Sequence, residues 1–235
     1  MGDQFIRIDR RFRGPPDSGN GGYVAGLLAK ALGGSGMEVT LRAPPPLDSE
    51  LRVVASADGA ELFAGEGLVA TARRAPSDIA VSLPPSLDRA REAERHFAGF
   101  DHHPFPGCFV CGPERAAGDG LRIFPGAIAG DDRVAGVWAP DASLTDGDGD
   151  REVAIEHIWA ALDCPGYFAV RERAGIAVLG RIAAEVMRRP LVGEAIVVTG
   201  WPIESEGRKH RVGTALHDGD GALCARAVAT WVTIG

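Results

Sequence analysis

A pattern that occurs twice constrains this chain more than any other feature, because a duplicated unit sets the fold of both halves at once. In the first copy an apolar helical run, GGYVAGLLAKAL at 21–32, leads into a short strand within EVTLRAPPPLDSEL at 38–51, then into hairpin-like segments ending in GLVATAR at 67–73. In the second copy EVAIEHIWAALDCPGYFAV at 152–170 leads into AAEVMRRPLVGEAI at 183–196, then into strands ending in GALCARAVATWV at 221–232. Pro46 and Glu50 align with Pro190 and Glu194, and Leu68 with Leu223. After each helical run the apolar spacing falls toward two, as in EAIVVTG and RVGTAL, and HDGDG at 217–221 supplies hairpin-turn chemistry. Each half therefore reads as one central helix plus several antiparallel strands, an α+β arrangement in which the helix covers the apolar face of the sheet.

Between the copies, residues 76–107 are rich in proline and charge, and SLDRAREAERHF at 86–97 reads as a short surface helix capped by Ser86 with Asp88 in its first turn. The chain thus divides into an N-terminal unit at 1–75, a linker at 76–107 and a C-terminal unit at 108–235. Its 235 residues are 45% hydrophobic, enough to bury a sizeable core. With 25 Lys and Arg against 32 Asp and Glu, the net charge of −7 argues against nucleic acid or an anionic membrane surface as the main partner. The opening MGDQFIRIDRRFRG has no apolar core of signal-peptide length, and no later run approaches the roughly 20 residues of a membrane span. Four cysteines, two of them in a C-x-x-C pair, suit a reducing compartment. These features lead to the expectation of a cytoplasmic protein with a small-molecule or protein partner.

The second copy opens with CFVCGPERAAGDGLRIFPG at 108–126, a C-x-x-C-G turn, a Gly-Leu step and an alternating strand, followed by a central helix and a closing ATWV strand. This order resembles the hotdog-fold acyl-CoA thioesterases. GNGGYVAGLLAKAL at 19–32 resembles the His-Gly-Gly helix start of the same superfamily, with Asn20 where histidine is usual. Together the matches imply two fused hotdogs over nearly the whole chain, as in bacterial double-hotdog acyl-CoA thioesterases. The resemblance implies an acyl-CoA ligand, no cofactor beyond the coenzyme A of that substrate, and room for a homo-oligomer.

In that superfamily, backbone N–H groups at a helix N-terminus polarise the thioester carbonyl, and a carboxylate activates water or attacks directly. The carboxylate lies about nine residues past the start of the glycine motif, roughly two and a half helical turns. Transferred residue by residue, that position is Asp163 in the second half and Ala29 in the first, while the glycines are Gly21 and Gly22 in the first half and are replaced by AIE at 154–156 in the second. The two copies are complementary. The resemblance therefore implies one composite site with Asp163, Gly21 and Gly22 as its catalytic groups and Asn20, Tyr23, Trp159 and Gly180 around the substrate. The residues by themselves leave other roles open. DCP at 163–165 also reads as an N-cap followed by a first-turn proline, with the helix kinking or restarting there. Asn20 is an ordinary N-cap, and the glycines could serve close helix packing. Glu156 and His157 adjoin the helix start but point largely away from the Asp163 face, so a solvated or satisfied pair is expected.

Two departures bear on activity. A Ser or Thr that family members carry near the end of a strand aligns here with Gly180, and a Gln on the last strand of double-hotdog relatives is replaced by Ala229 and Thr230. They motivate an alternative, a non-catalytic acyl-CoA-binding or scaffold protein of the same fold. A hotdog hydratase would need an Asp and His pair in an Asn-Pro-rich motif that is not found. His102, His103, Cys108 and Cys111 in DHHPFPGCFVCG form an incomplete zinc pattern, and the expectation is a tight turn with no metal. DGDGDREVAIEH at 146–157 begins like a calcium loop but has Arg151 at the required glycine and His157 at the bidentate glutamate, so it reads as a loop. GRKHR at 207–211 could meet phosphates, although a solvated hairpin fits it better. No phosphate-binding loop, nucleophile elbow or dinucleotide fingerprint occurs.

Overall fold

The computed structural model describes residues 4–34, 36–75 and 79–234. In the first half, β1 (Gln4–Arg7) precedes α1 (Gly21–Ala31), then come β2 (Met37–Leu41), β3 (Glu50–Ala55), β4 (Gly59–Ala64) and β5 (Gly67–Arg74). Helix α1 starts where it does because Asn20 stays extended and its side chain accepts the Tyr23 N–H at 2.9 Å. The connecting α2 (Leu87–Glu94) begins at the expected cap, with Ser86 Oγ accepting the Arg89 N–H at 3.3 Å.

The second half runs β6 (Gly126–Ala127), β7 (Val134–Trp138), α3 (Ile155–Ala161), α4 (Cys164–Ala174), β8 (Ala177–Val186), β9 (Ile196–Glu206), β10 (Lys209–His217) and β11 (Leu223–Thr233). Helix α2 is packed onto this half. Ala90 and Ala93 are buried against Ile128, Ala135 and Val197, and Glu94 Oε1 accepts the Val137 N–H at 3.0 Å.

Among the described residues all the strands join one 11-stranded antiparallel sheet in the order β1-β3-β4-β5-β2-β8-β11-β10-β9-β7-β6. Its middle is the β2–β8 pair, where Met37 faces Ala184 and Val39 faces Ile182, all buried. Outward from that pair, β2, β5, β4, β3 and β1 on one side match β8, β11, β10, β9 and β7 on the other. The duplication is thus expressed as a pseudo-two-fold. Each half closes the strand edge that the other would leave open.

The sheet wraps the helices. On β11 the buried side chains Ala225, Ala227, Ala229 and Trp231 recur every second residue, the period of a strand with one face on the core. Helices α1 and α3 lie against each other at a distance that only glycine permits: a Cβ on Gly22 would come within 2.6 Å of Asp163 Cβ, and one on Gly26 within 2.5 Å of Glu156 Cα. Close packing is therefore one job of these glycines.

The second copy's helical run is broken, as the proline requires. Pro165 has no N–H for the Ala161 carbonyl, so α3 ends at Ala161 and α4 restarts at Cys164 with Pro165 in its first turn. The carbonyl of Leu162, at the break, accepts the buried Thr214 hydroxyl of β10 at 2.8 Å.

Candidate active site

Asp163 sits in the α3–α4 break with helical backbone angles, φ −81° and ψ −77°, and its side chain makes no capping bond to α4. The carboxylate turns instead toward the other half. Oδ2 accepts the Gly22 N–H at 3.0 Å and the Asn20 Nδ2–H at 2.8 Å, both at the start of α1, while Oδ1 has no partner among the described residues. Asn20 thereby does two things: its Oδ1 caps α1 and its amide holds the acid. Asp163 is only 1% exposed, and burial pushes its carboxyl up to about 7, against the Gly22 hydrogen bond that pulls it down.

These groups face a cavity of about 460 Å³ at the seam between the halves. Asp163, Asn20, Gly21 and Gly180 line it, with apolar walls from Leu41, Pro44, Phe105, Leu179, Trp231 and Val232, and Arg42 at an exposed part of the lining. The N–H of Gly21, at the first helical position, has no acceptor among the described residues. The two glycines therefore differ: the Gly22 donor is spent on the carboxylate and the Gly21 donor is free. Ser18 and Tyr167 bring hydroxyls to the wall, donating to the Gly19 and Gly175 carbonyls.

Tyr23 and Trp159 lie outside this lining. Tyr23 is buried and stacks on Phe12, with ring centroids 4.1 Å apart, and Trp159 is fully buried where α3 meets Gly22 and Gly26 of α1. The helical period explains this: both side chains belong to faces turned into the core, not toward the seam cavity.

The mirror-related position, where Ala29 replaces the acid, is occupied by ion pairs. Lys30 Nζ reaches Glu156 Oε1 at 3.0 Å and also pairs with Asp146, which Arg189 engages at 2.8 Å. Glu156 is thus a buried, paired carboxylate. His157 is buried: burial pushes it down to about 4, its Nδ1 has no partner among the described residues, and its ring packs among Phe12, Tyr23 and Phe109. Asp146 of the acidic loop serves these pairs. In the basic run, Gly207 turns the β9–β10 hairpin at φ 54°, and His210 is buried between Ser205 and Thr233.

Cys108, Cys111 and Cys164 also line the cavity, together with His103, whereas His102 is exposed. Cys164 escaped the sequence reading because nothing in spacing links it to the C-x-x-C turn. Its position directly after Asp163 was the available signal.

No protein-family model matches the chain, and no curated protein matches it. Among solved structures, the tesB protein of Mycobacterium avium subs paratuberculosis matches with a TM-score of 0.62 at 12% identity, covering 99% of this chain and 93% of that one. A Thermobifida fusca YX protein assigned as a thioesterase II matches with a TM-score of 0.64 at 11% identity over 99% and 94% of the two chains. An Alicyclobacillus acidocaldarius protein of unknown function with the hot dog fold matches with a TM-score of 0.58 at 9% identity over 99% and 93%. At such identities the likeness is one of fold, it spans the whole chain, and with the duplicated sheet it makes this protein an α+β double hotdog.

Proposed function

We propose that the chain hydrolyses acyl thioesters, with acyl-CoA as the substrate class, at one composite site between its two halves. One observation carries the reading: a buried carboxylate in the wall of an apolar cavity is gripped through one oxygen by the helix start of the opposite half and keeps its other oxygen free. Glu156 is also buried with one bare oxygen, but its other oxygen is paired with the Lys30 ammonium and it lies outside the cavity lining, whereas Asp163 has no cation beside it among the described residues and borders the cavity.

In this reading the acyl chain lies along the apolar wall and the thioester carbonyl points at the start of α1. The Gly21 N–H and the positive end of the helix dipole favour the charge that develops on the carbonyl oxygen. Asp163 Oδ1, ionised, takes a proton from water as that water attacks the carbonyl carbon. The carbon–sulfur bond breaks, the CoA thiolate leaves, and the carboxyl proton returns to it. Asn20 and Gly22 hold the carboxylate in place throughout. Arg42 is placed to meet the phosphates of the CoA portion.

A second reading rests on Gly180. It lines the cavity where the family hydroxyl is expected, so a chain that binds acyl-CoA without turning it over is the alternative. Release of free thiol from short, long and aromatic acyl-CoAs separates the two. Turnover of at least one class above the buffer rate supports hydrolysis, while saturable binding of acyl-CoA with no thiol release overturns it in favour of the binding protein.

A further inference from the structure

Three of the four cysteines converge below the cavity, Cys108 and Cys111 from the C-x-x-C-G turn and Cys164 from the first position of α4. Their sulfurs all lie within 4.8 Å of one another, with Cys108 Sγ 3.7 Å from Cys164 Sγ. Bonds of about 2.3 Å to one tetrahedral ion would put two sulfurs about 3.8 Å apart, whereas a disulfide would need about 2.05 Å. The spacing matches an edge of a metal tetrahedron. Packing alone asks for no such convergence, and the fourth cysteine, Cys224, is buried apart from the others beside Arg188.

The turn is shaped to present its sulfurs. The Gly112 N–H donates to the Cys108 carbonyl at 2.9 Å, and a Cβ at Gly112 would lie 2.5 Å from the carbonyl oxygens of Cys108 and Pro106, so glycine alone closes it. His103 supports the set without joining it. Its Nδ1 accepts the Phe105 N–H at 2.9 Å, so its proton belongs on Nε2, which points at Cys111 Sγ from 3.3 Å.

We infer that Cys108, Cys111 and Cys164 form a three-thiolate site for a soft divalent ion, zinc by its fit to the sulfur spacing, in the floor of the cavity. Binding releases the thiol protons to solvent. The ion would border the same cavity as Asp163, so that one wall carries both the acid and the metal.

The test uses the intact protein, stripped of metal and reduced with a phosphine, and needs no catalytic readout. Zinc is titrated in competition with a chromophoric chelator, and cobalt(II) is added separately as a spectroscopic probe. The expected result is one ion per chain with a Kd below about 1 μM, and intense sulfur-to-cobalt charge-transfer bands. Cys111→Ser and Cys164→Ser, each checked for a native circular dichroism spectrum, should weaken zinc binding at least about a hundredfold, and Cys224→Ser should leave it unchanged. A folded, reduced parent protein that takes up neither ion, or cobalt spectra without sulfur bands, would overturn the site. So would zinc affinity retained in both serine variants.

Discussion

Gly22 shows how much one residue can be asked to do. Its missing side chain lets α1 approach α3, and its N–H holds Asp163. A methyl there would meet Asp163 Cβ at 2.6 Å and the Trp159 carbonyl oxygen at 2.7 Å, backbone that cannot step aside. Gly22→Ala should therefore destabilise the protein by roughly 3 kcal/mol, the upper end of ordinary overpacking, as read from chemical denaturation. The Asp163 carboxyl makes a second prediction. Its folded value is about 7 against 3.8 for a free side chain, so the folded state holds the proton more tightly than the unfolded one. That contribution to stability is fully present below pH ~4 and is lost as pH rises through about 7, on the order of 4 kcal/mol in all. In metal-free protein, turnover should rise through the same interval, because only the ionised form is a base. Stability of Asp163→Asn should be flatter across pH 4–7 than that of the parent, and equal slopes in the two proteins would refute the assigned shift. At this scale the resemblance, and no local pattern, set Asp163 against the start of α1, where the structure joins it to Asn20 and Gly22 by hydrogen bonds. The sequence could not divide the two glycine donors between carboxylate and cavity, nor turn Tyr23 and Trp159 away from the cavity, since both depend on the rotation of α1 against α3.

The break between α3 and α4 is the element that positions the site. Pro165 announces it in the sequence, and the sequence left open whether the preceding aspartate caps the new helix. The structure resolves the ambiguity through tertiary partners: the Gly22 N–H and Asn20 amide outbid the α4 N-terminus for the carboxylate, while Thr214 takes the Leu162 carbonyl freed at the break. Neither partner is near in the chain, so no local pattern could have revealed them. Thr214→Val keeps the shape and removes the donor. It should cost about 1–2 kcal/mol, the penalty for a buried carbonyl left unpaired. Because Thr214 touches the break and not the cavity, its effect on turnover should come through Asp163 placement, as a fall in kcat at nearly constant KM. A variant as stable as the parent would show that the carbonyl finds another donor.

Across the whole molecule, the duplication visible in the sequence becomes one continuous sheet, with the β2–β8 pair binding the halves. The repeat made the fold legible because each copy alone leaves a helix face and a strand edge uncovered. What the repeat could not show was the packing of α2 onto β7, which depends on Ala90 and Ala93 meeting a distant strand. A shared core predicts shared unfolding. The four tryptophans, Trp138, Trp159, Trp201 and Trp231, all lie in the second half, whereas far-ultraviolet circular dichroism reports on both. The two signals should give coincident denaturant transitions, and a separation between them would mean that the halves are independent units.

The composite site is the claim on which the function rests, and Asp163→Asn tests it most directly. Asparagine can still accept from Gly22 but cannot act as base or nucleophile. With melting temperature, acyl-CoA affinity and thiol release measured on one preparation, the account predicts a folded protein that binds acyl-CoA like the parent and has lost turnover at least about a hundredfold. Turnover equal to the parent's in that folded, ligand-binding variant would contradict it.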